Sequence, residues 1–376
     1  ISDDNQQMTY VLVLSEKTQT GTFTVGDIYW NDQLLQFDTG ANNYKVASSI
    51  DQNGKGTTNT NFAGLIEMRV YAGSATTATS QIFPATNTVA AATYIGESTS
   101  TYLLNDLVYA VVKLTYSSEK SVTSLAQMTF EVTNSLSNPG LVLYDYLTAE
   151  RYGAAIASSE IDITSLTSTA SNTSLYSISN EIPPNQFESD GTTTSTQARY
   201  VANGVLSTGE TVKNNLEKIT QACASWLTYD FVQGKWTVVV NRALSSGELA
   251  ALTVYDDDVI LGDVSVNATN LEDLYNGIQV EFPSREIRDQ NDYYRASIDV
   301  SERNDLEPDN VLNLRYDLIN NAIHAQRLGL IELKQSRVDK TIQFKTTYEG
   351  LQTKAGDVIK VTNEVYGFTE KLFRVT

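Results

Sequence analysis

Residues 199–243 read RYVANGVLSTGETVKNNLEKITQACASWLTYDFVQGKWTVVVNRA, and three local patterns follow one another in them. Arg199 to Gly204 predicts a short strand. Ser207-x-x-Glu210 has the spacing of a capping box, in which each side chain accepts the other residue's backbone N–H. Val212, Leu216, Ile219, Cys223 and Leu227 then recur at spacings of four, three, four and four, which is one apolar stripe along a helix. Trp226 to Phe231 and Lys235 to Val240 flank Gln233-Gly234, which reads as a hairpin. Strand, helix and hairpin in this order make an α+β element.

Toward the C-terminus, Gly277 to Pro283 alternates and predicts a strand that Pro283 ends. Residues 284–310 are charged and read as loop. Residues 310–337 predict one long helix, with Leu318, Ile319, Ala322, Ile323, Leu330 and Ile331 near one face and Gly329 weakening its middle by about 1 kcal/mol relative to Ala. Lys340–Tyr348, Gly356–Thr362 and Lys371–Val375 predict three strands. Toward the N-terminus, Asn138-Pro139 is a helix start, with Asn as the cap and Pro where no N–H is needed. Leu141, Leu143, Tyr144 and Leu147 form its apolar face, and Gly153 is placed to stop it. Residues 157–195 read as a Ser/Thr/Asn-rich connector with one short helix. The first third predicts strands around Tyr10–Leu14, Gly26–Leu35 with a turn at Asn31-Asp32, Ile66–Tyr71, Asp106–Tyr116 and Met128–Val132. Asp106–Tyr116 is apolar on both sides, as a covered strand is. Residues 72–100 carry little pattern.

Composition narrows the function. The 376 residues carry 45 acids against 26 bases, a net charge of −19. Such a surface repels phosphate, so docked duplex DNA is not expected. No apolar run approaches the roughly 20 residues that span a bilayer. Cys223 is the only cysteine, so neither an intrachain disulfide nor a single-chain thiolate zinc site can form. His324 is the only histidine, which closes off triads and multi-histidine metal sites. The chain does not begin with Met and stops on Lys371–Thr376 within a strand pattern, which predicts a piece of a longer polypeptide.

The remaining candidates each have a plainer reading. Asp51–Gly56 begins like a calcium loop, but Lys55 stands where a ligand oxygen is needed and Phe62 where the closing acid belongs, so a polar hairpin loop is expected. Asp256-Asp257-Asp258 could bind a metal or do acid–base work only if Asp230, Asp263 or Glu272-Asp273 joined it, and a solvated turn is expected instead. His324 lies beside the helical stripe, which predicts a partly buried or interfacial residue, and Cys223 lies on a stripe, which predicts a core hydrophobe. Trp30, Trp226, Trp236 and the many tyrosines could make a sugar platform, but Trp226 and Trp236 flank the hairpin and read more simply as core or interface anchors. No catalytic, cofactor-binding or metal-ligating residue is expected.

Several stretches resemble a known family. Asn138-Pro-Gly-Leu-Val-Leu-Tyr-Asp-Tyr-Leu-Thr148 followed by Arg151-Tyr-Gly153 resembles a segment of the central tail-tip, or baseplate hub, proteins of tailed bacteriophages. Tyr109–Thr115, Thr129–Val132, Asn203–Leu206, Gln233–Trp236, Asn276–Phe282, Gly356–Asn363, Tyr366–Phe368 and Lys371–Val375 follow the same family order. The resemblance implies a β-rich α+β, multi-domain chain with tail-tube-like β-barrel domains and a smaller mixed α/β domain. The expected division is a β hub domain at 1–134, the Asn-Pro helix and connector at 135–198, a strand–helix–hairpin domain at 199–270, and a second β domain at 271–376 that continues further.

The resemblance also implies a non-enzymatic structural component, made in the host cytoplasm and carried in the virion. It would form a homotrimeric ring, join the tail tube and distal tail proteins to tail fibres or a spike, take part in host attachment, and let DNA pass without binding it. The competing expectations are a host-surface receptor- or carbohydrate-binding module, marked by an exposed aromatic cleft, and a tail-associated hydrolase, marked by carboxylates roughly 5–9.5 Å apart in a pocket.

Overall fold

The computed structural model describes residues 6–39, 44–49, 62, 65–72, 106–183, 197–268, 270, 274–303, 307–338 and 340–376. The Asp51–Asn61 loop, residues 73–100 and Glu272-Asp273 lie outside these. The chain is β-rich and divides into two compact units, Ile1–Leu136 and Ser137–Thr376.

In the first unit, β1 (Gln7–Glu16), β2 (Phe23–Trp30) and β3 (Gln33–Leu34) are followed by β4 (Gln36–Thr39), β5 (Tyr44–Ser49), β6 (Ile66–Ala72), β7 (Leu107–Thr115) and β8 (Met128–Asn134). They make an antiparallel sheet in the order β1-β7-β6-β5-β4 and a second in the order β3-β2-β8. Strand β7 is covered on both faces, with Val108, Ala110, Val111 and Val112 fully buried, as its apolar run requires. Ile28 and Trp30 of β2 pack with Ile66, Met68, Ala110 and Val112 into one core. Asn31 and Asp32 both have positive φ, 46° and 64°, the signature of the tight turn whose twist suits a hairpin. The expected barrel is not closed among the described strands, because the pairing ends at β1 and β4 on one sheet and at β3 and β8 on the other.

The second unit opens on α1 (Pro139–Thr148), capped as expected: Asn138 Oδ1 accepts from Gly140 N–H. Leu143, Tyr146 and Leu147 of α1 pack with Leu166 of α2 (Ile163–Thr167), Leu175 and Ile178 of α3 (Leu175–Asn180) and Ile219 of α4 (Val212–Gln221). The same core takes Val238 and Val240 from the hairpin β9 (Ser225–Asp230) and β10 (Lys235–Val240). After α5 (Ser246–Ala250), β11 (Val254–Tyr255) and β12 (Ile260–Ala268) come β13 (Gly277–Ser284), β14 (Gln290–Ser297), β15 (Val311–Arg315) and α6 (Ala322–Ser336). Ile278, Val280 and Phe282 of β13 and Ala325, Leu328 and Leu333 of α6 complete the core, which therefore gathers residues from 143 to 333. A smaller core joins Tyr255 and Ile260 to Ile359, Val361 and Phe368, with Phe344 against it. These come from β11, β12, β16 (Lys340–Thr346), β17 (Val358–Asn363) and β18 (Phe368–Arg374).

Several local expectations give way to tertiary demands. Arg199–Gly204 is not a strand; Tyr200, Ala202 and Asn203 donate their N–H groups to Ser179, Ser137 and Leu318 carbonyls, so the segment is pinned to three separate partners. Residues 157–183 are not a loose connector, since α2 and α3 bury Leu166, Leu175 and Ile178. The 284–310 loop contains β14, antiparallel to β13. The long helix begins only at Ala322, because Val311–Arg315 is a strand running parallel to β13. Strand β13 continues one residue past Pro283, tolerated because β15 pairs with it only as far as Glu281.

Two glycines serve close approach. A Cβ on Gly153 would lie 1.9 Å from the Tyr146 carbonyl, so Gly153 packs against α1 rather than ending it at Thr148. A Cβ on Gly329 would meet Val280 Cγ2 at 2.8 Å, so the helix-weakening glycine is what seats α6 on β13.

Candidate functional site

The acidic run at Asp256–Asp258 builds a turn. Asp256 Oδ1 accepts from Asp258 N–H at 3.1 Å, and the Asp256 carbonyl accepts from Val259 and Ile260 N–H at 3.1 and 2.8 Å, which launches β12. Asp257 and Asp258 are exposed. Asp230 serves a different turn, accepting from Val232 and Gln233 N–H at 2.9 Å each, with Lys354 Nζ at 3.6 Å. Burial pushes its carboxyl up, but the Gln233 N–H, the Lys354 charge and the Val232 N–H outweigh that and hold it below the ordinary carboxylate range. Among the described residues no three His, Cys, Asp or Glu side chains converge to hold a metal.

His324 is deeper than its place beside the stripe implied. It is 2% exposed, its ring centroid lies 5.7 Å from that of Tyr200, and its Nε2 has no partner among the described residues. Burial drives its pKa down to about 3, with the Arg327 charge adding to the effect and the Ala222 carbonyl opposing it. His324 is thus a core residue rather than the partly buried or interfacial one expected. Cys223 is fully buried, with Sγ 3.3 Å from the Ile219 carbonyl, and burial pushes its thiol up to about 12. That is an inert thiol.

Trp30 is 2% exposed, in the first unit's core. Trp226 lies under the Arg374 guanidinium, 4.9 Å from the ring centroid, and Trp236 meets Tyr229 edge-on at 5.5 Å. None of the three presents an open platform. Other aromatics are exposed, among them Tyr116, Tyr293, Tyr348, Tyr366 and Phe231, the last 72% exposed at the hairpin turn with Tyr229 beside it at 5.5 Å. Sequence reasoning had placed Tyr229 and Phe231 in a strand, and only the turn geometry brings Phe231 to the surface. Among the described residues no helix is long and apolar enough to cross a membrane.

Among the described residues, the sequence candidates therefore build turns, cores and surfaces. Comparison with known proteins points the same way. The family model described as "Putative phage tail protein" matches residues 220–376. Baseplate hub protein pb3 of Escherichia phage T5 is 23% identical over 307 residues, which is 73% of this chain and 30% of that protein. The chain thus spans less than a third of that relative's length. A chain from the virion of a native gene transfer agent particle has the same fold, with a TM-score of 0.54 over 100% of this chain and 76% of that one, at 13% identity. A 43 kDa tail protein of prophage MuSo2 from Shewanella oneidensis matches 44% of this chain and 49% of its own at a TM-score of 0.30, too low to carry an argument. The family model, the T5 relative and the gene transfer agent chain support a phage tail or baseplate protein located in the virion.

Proposed function

We propose that the chain is a structural component of a tail tip or baseplate hub. It closes as a homotrimeric ring, joins the tail tube and distal tail proteins to the tip, fibres or spike, and leaves a passage for DNA. The observation that carries this reading is the sequence similarity to a baseplate hub protein, which extends over 307 residues and so cannot be confined to either unit. The two-sheet first unit is the candidate for a tail-tube-like ring wall, with open sheet ends that a barrel would have sealed. The charge fits a conduit: three copies at −19 each would repel a passing polyphosphate rather than adsorb it.

The test is the mass and symmetry of the assembled particle, by light scattering and electron microscopy. Three copies of 41.4 kDa around one axis are expected, with acids outnumbering bases on the surface facing that axis. A species that stays monomeric at high concentration, or a lumen lined by lysine and arginine, overturns the reading.

A further inference from the structure

The sheet β14-β13-β15 has an outer face that the hub reading leaves without a role. Along β13, Ile278, Val280 and Phe282 are buried on the side where Gly329 of α6 sits, so Gly277, Gln279 and Glu281 occupy the opposite face. The register sets Ser297 and Val311 beside Gly277, and Arg295 and Asn313 beside Gln279. Directly paired residues share a face. Gly277 contributes no side chain, and a Cβ there would come within 3.2 Å of Val311 Cγ2. The bare backbone becomes the floor of a hollow of about 490 Å³, walled by Gln279, Arg295, Ser297, Arg303 and Asp309.

Among the described residues, two guanidinium groups and one carboxylate line this hollow. Arg303 Nη1 pairs with Asp309 Oδ1 at 2.7 Å; the Arg303 side chain is 26% exposed and that of Asp309 85%, so an incoming carboxylate competes for this fork with a carboxylate that is free to swing into solvent. Arg303 Nε is buried and has no partner among the described residues. Arg295 donates Nε to Gln279 Oε1 at 2.7 Å, which fixes the plane of its fork while its terminal nitrogens remain available. A held, planar fork is the geometry that receives a carboxylate through two parallel hydrogen bonds. On a chain of net charge −19, a local excess of positive charge is also where an anion can settle.

We propose that this hollow is a carboxylate-binding site. Arg295 and Arg303 hold the carboxylate, and Gln279 and Ser297 face the polar remainder of a ligand about the size of a sugar acid. The volume falls within the usual range for small-ligand pockets. A carboxylate can arrive on a free acid or on an Asp or Glu side chain of a second copy, and both present the same group to the same forks.

The test titrates the full chain with sodium galacturonate and, as the uncharged control of equal size, galactose, read by saturation-transfer NMR. Light scattering over a concentration series accompanies it. Arg295→Gln removes one fork while keeping an amide, and Gly277→Val fills the floor while leaving both charges; melting curves check that each variant folds. Saturable galacturonate binding at millimolar concentration, absent for galactose and weakened about tenfold or more in both variants, supports a free acid. A concentration-dependent mass increase lost in both variants supports a carboxylate from a second copy. Equal binding of the two sugars, binding indifferent to Arg295→Gln, or neither galacturonate binding nor a variant-sensitive mass change overturns the site.

Discussion

The two units are built around cores of different kinds. Among the described residues, and leaving tyrosines aside, the buried polar residues lie in the second unit, among them Asp145, Ser174, Ser179, Asn215, Thr220, Thr237, Asn276, Ser284 and His324. The first unit's core of Ile28, Trp30, Leu35, Ile66, Met68, Val70, Ala110, Val112 and Leu114 is apolar throughout, apart from the indole N–H. A sheet-on-sheet core can be filled by side-chain alternation alone. The second unit instead packs several short helices against one another, a hairpin and a sheet, and such helices bring unpaired termini with them. Its polar residues answer that need. Asn138 caps α1, Asp162 caps α2, Ser174 caps α3, and Asn215 ties α4 to Tyr146 Oη and the Ser207 carbonyl at 2.9 Å each. The first unit should therefore tolerate volume-conserving apolar swaps, while the second is sensitive to backbone approach, to pH and to single polar contacts.

The strongest test of that contrast is Gly140→Ala. A Cβ there would lie 2.2 Å from the Leu166 carbonyl and 2.9 Å from Tyr176 N, both backbone atoms that no rotamer change can move. Helices α1, α2 and α3 meet at this point, so the substitution should cost several kcal/mol, about 3–5. Hydrogen exchange should show protection lost across 139–180 while the peptides of β7 keep theirs. Unchanged protection in 139–180 would mean that the helices pack less tightly than these distances state.

Next in size is the effect of pH. His324 has an ordinary pKa of 6.5 when unfolded and about 3 when buried. Between those values the unfolded chain binds a proton that the folded chain refuses. The stability of the second unit is therefore full above pH 6.5 and falls as pH drops toward 3, by up to about 1.4 kcal/mol per pH unit. Ordinary carboxylates titrate mostly below this window, and the chain has no other histidine, so the first unit should be flat from pH 6.5 to 4.5. Denaturation followed by hydrogen exchange at both pH values checks this. In His324→Gln the loss of second-unit stability toward acid should disappear, leaving the opposite trend of Glu332, whose carboxyl is pushed up by burial; a loss that survives would place its origin elsewhere.

How much of this was legible in the sequence depended on how many long-range partners an element needs. The hairpin 225–240 and the helix after Asn138-Pro139 rest on neighbours in sequence and could be read directly. Strand β14 could not, because Gln290–Asp292, Tyr293, Arg295 and Ser297 are exposed and only Tyr294 and Ala296 are half-buried, leaving no apolar alternation to detect. Val311–Arg315 alternates, but Leu318, Ile319, Ala322 and Ile323 follow at helical spacing, and only pairing with β13 decides where strand ends and helix begins. One histidine and one cysteine are enough to make triads and thiolate or multi-histidine metal sites unexpected from the sequence. The hollow over Gly277 was invisible because Gly277 and Arg295 are brought near each other only by the register of β13 and β14, and Arg303 joins them from the segment between β14 and β15.

The smallest expected effects isolate what gives a helix cap its worth. Ser207-Thr-Gly-Glu210 and Ser245-Ser-Gly-Glu248 are nearly the same tetrapeptide, yet only the second forms a capping box. At the first, Glu210 is drawn to Lys218 at 2.8 Å, the Ser207 carbonyl is held by Asn215, and Thr211 caps α4 four residues later. The box at Ser245 starts α5, which buries no residue. Asn138, by contrast, accepts from Gly140 N–H at 2.9 Å and donates Nδ2 to the Tyr176 carbonyl at 3.1 Å, so it joins α1 to α3 inside the core. Asn138→Ala should lower the global stability of the second unit by about 1–2 kcal/mol, the cap plus a stranded carbonyl. Ser245→Ala should speed exchange within 246–250 and leave the global midpoint within about 0.5 kcal/mol of the parent. Equal global losses from the two substitutions would show that a cap stabilises by its own hydrogen bond alone, independent of what the helix docks against, and the contrast between the two units' cores would then need another cause.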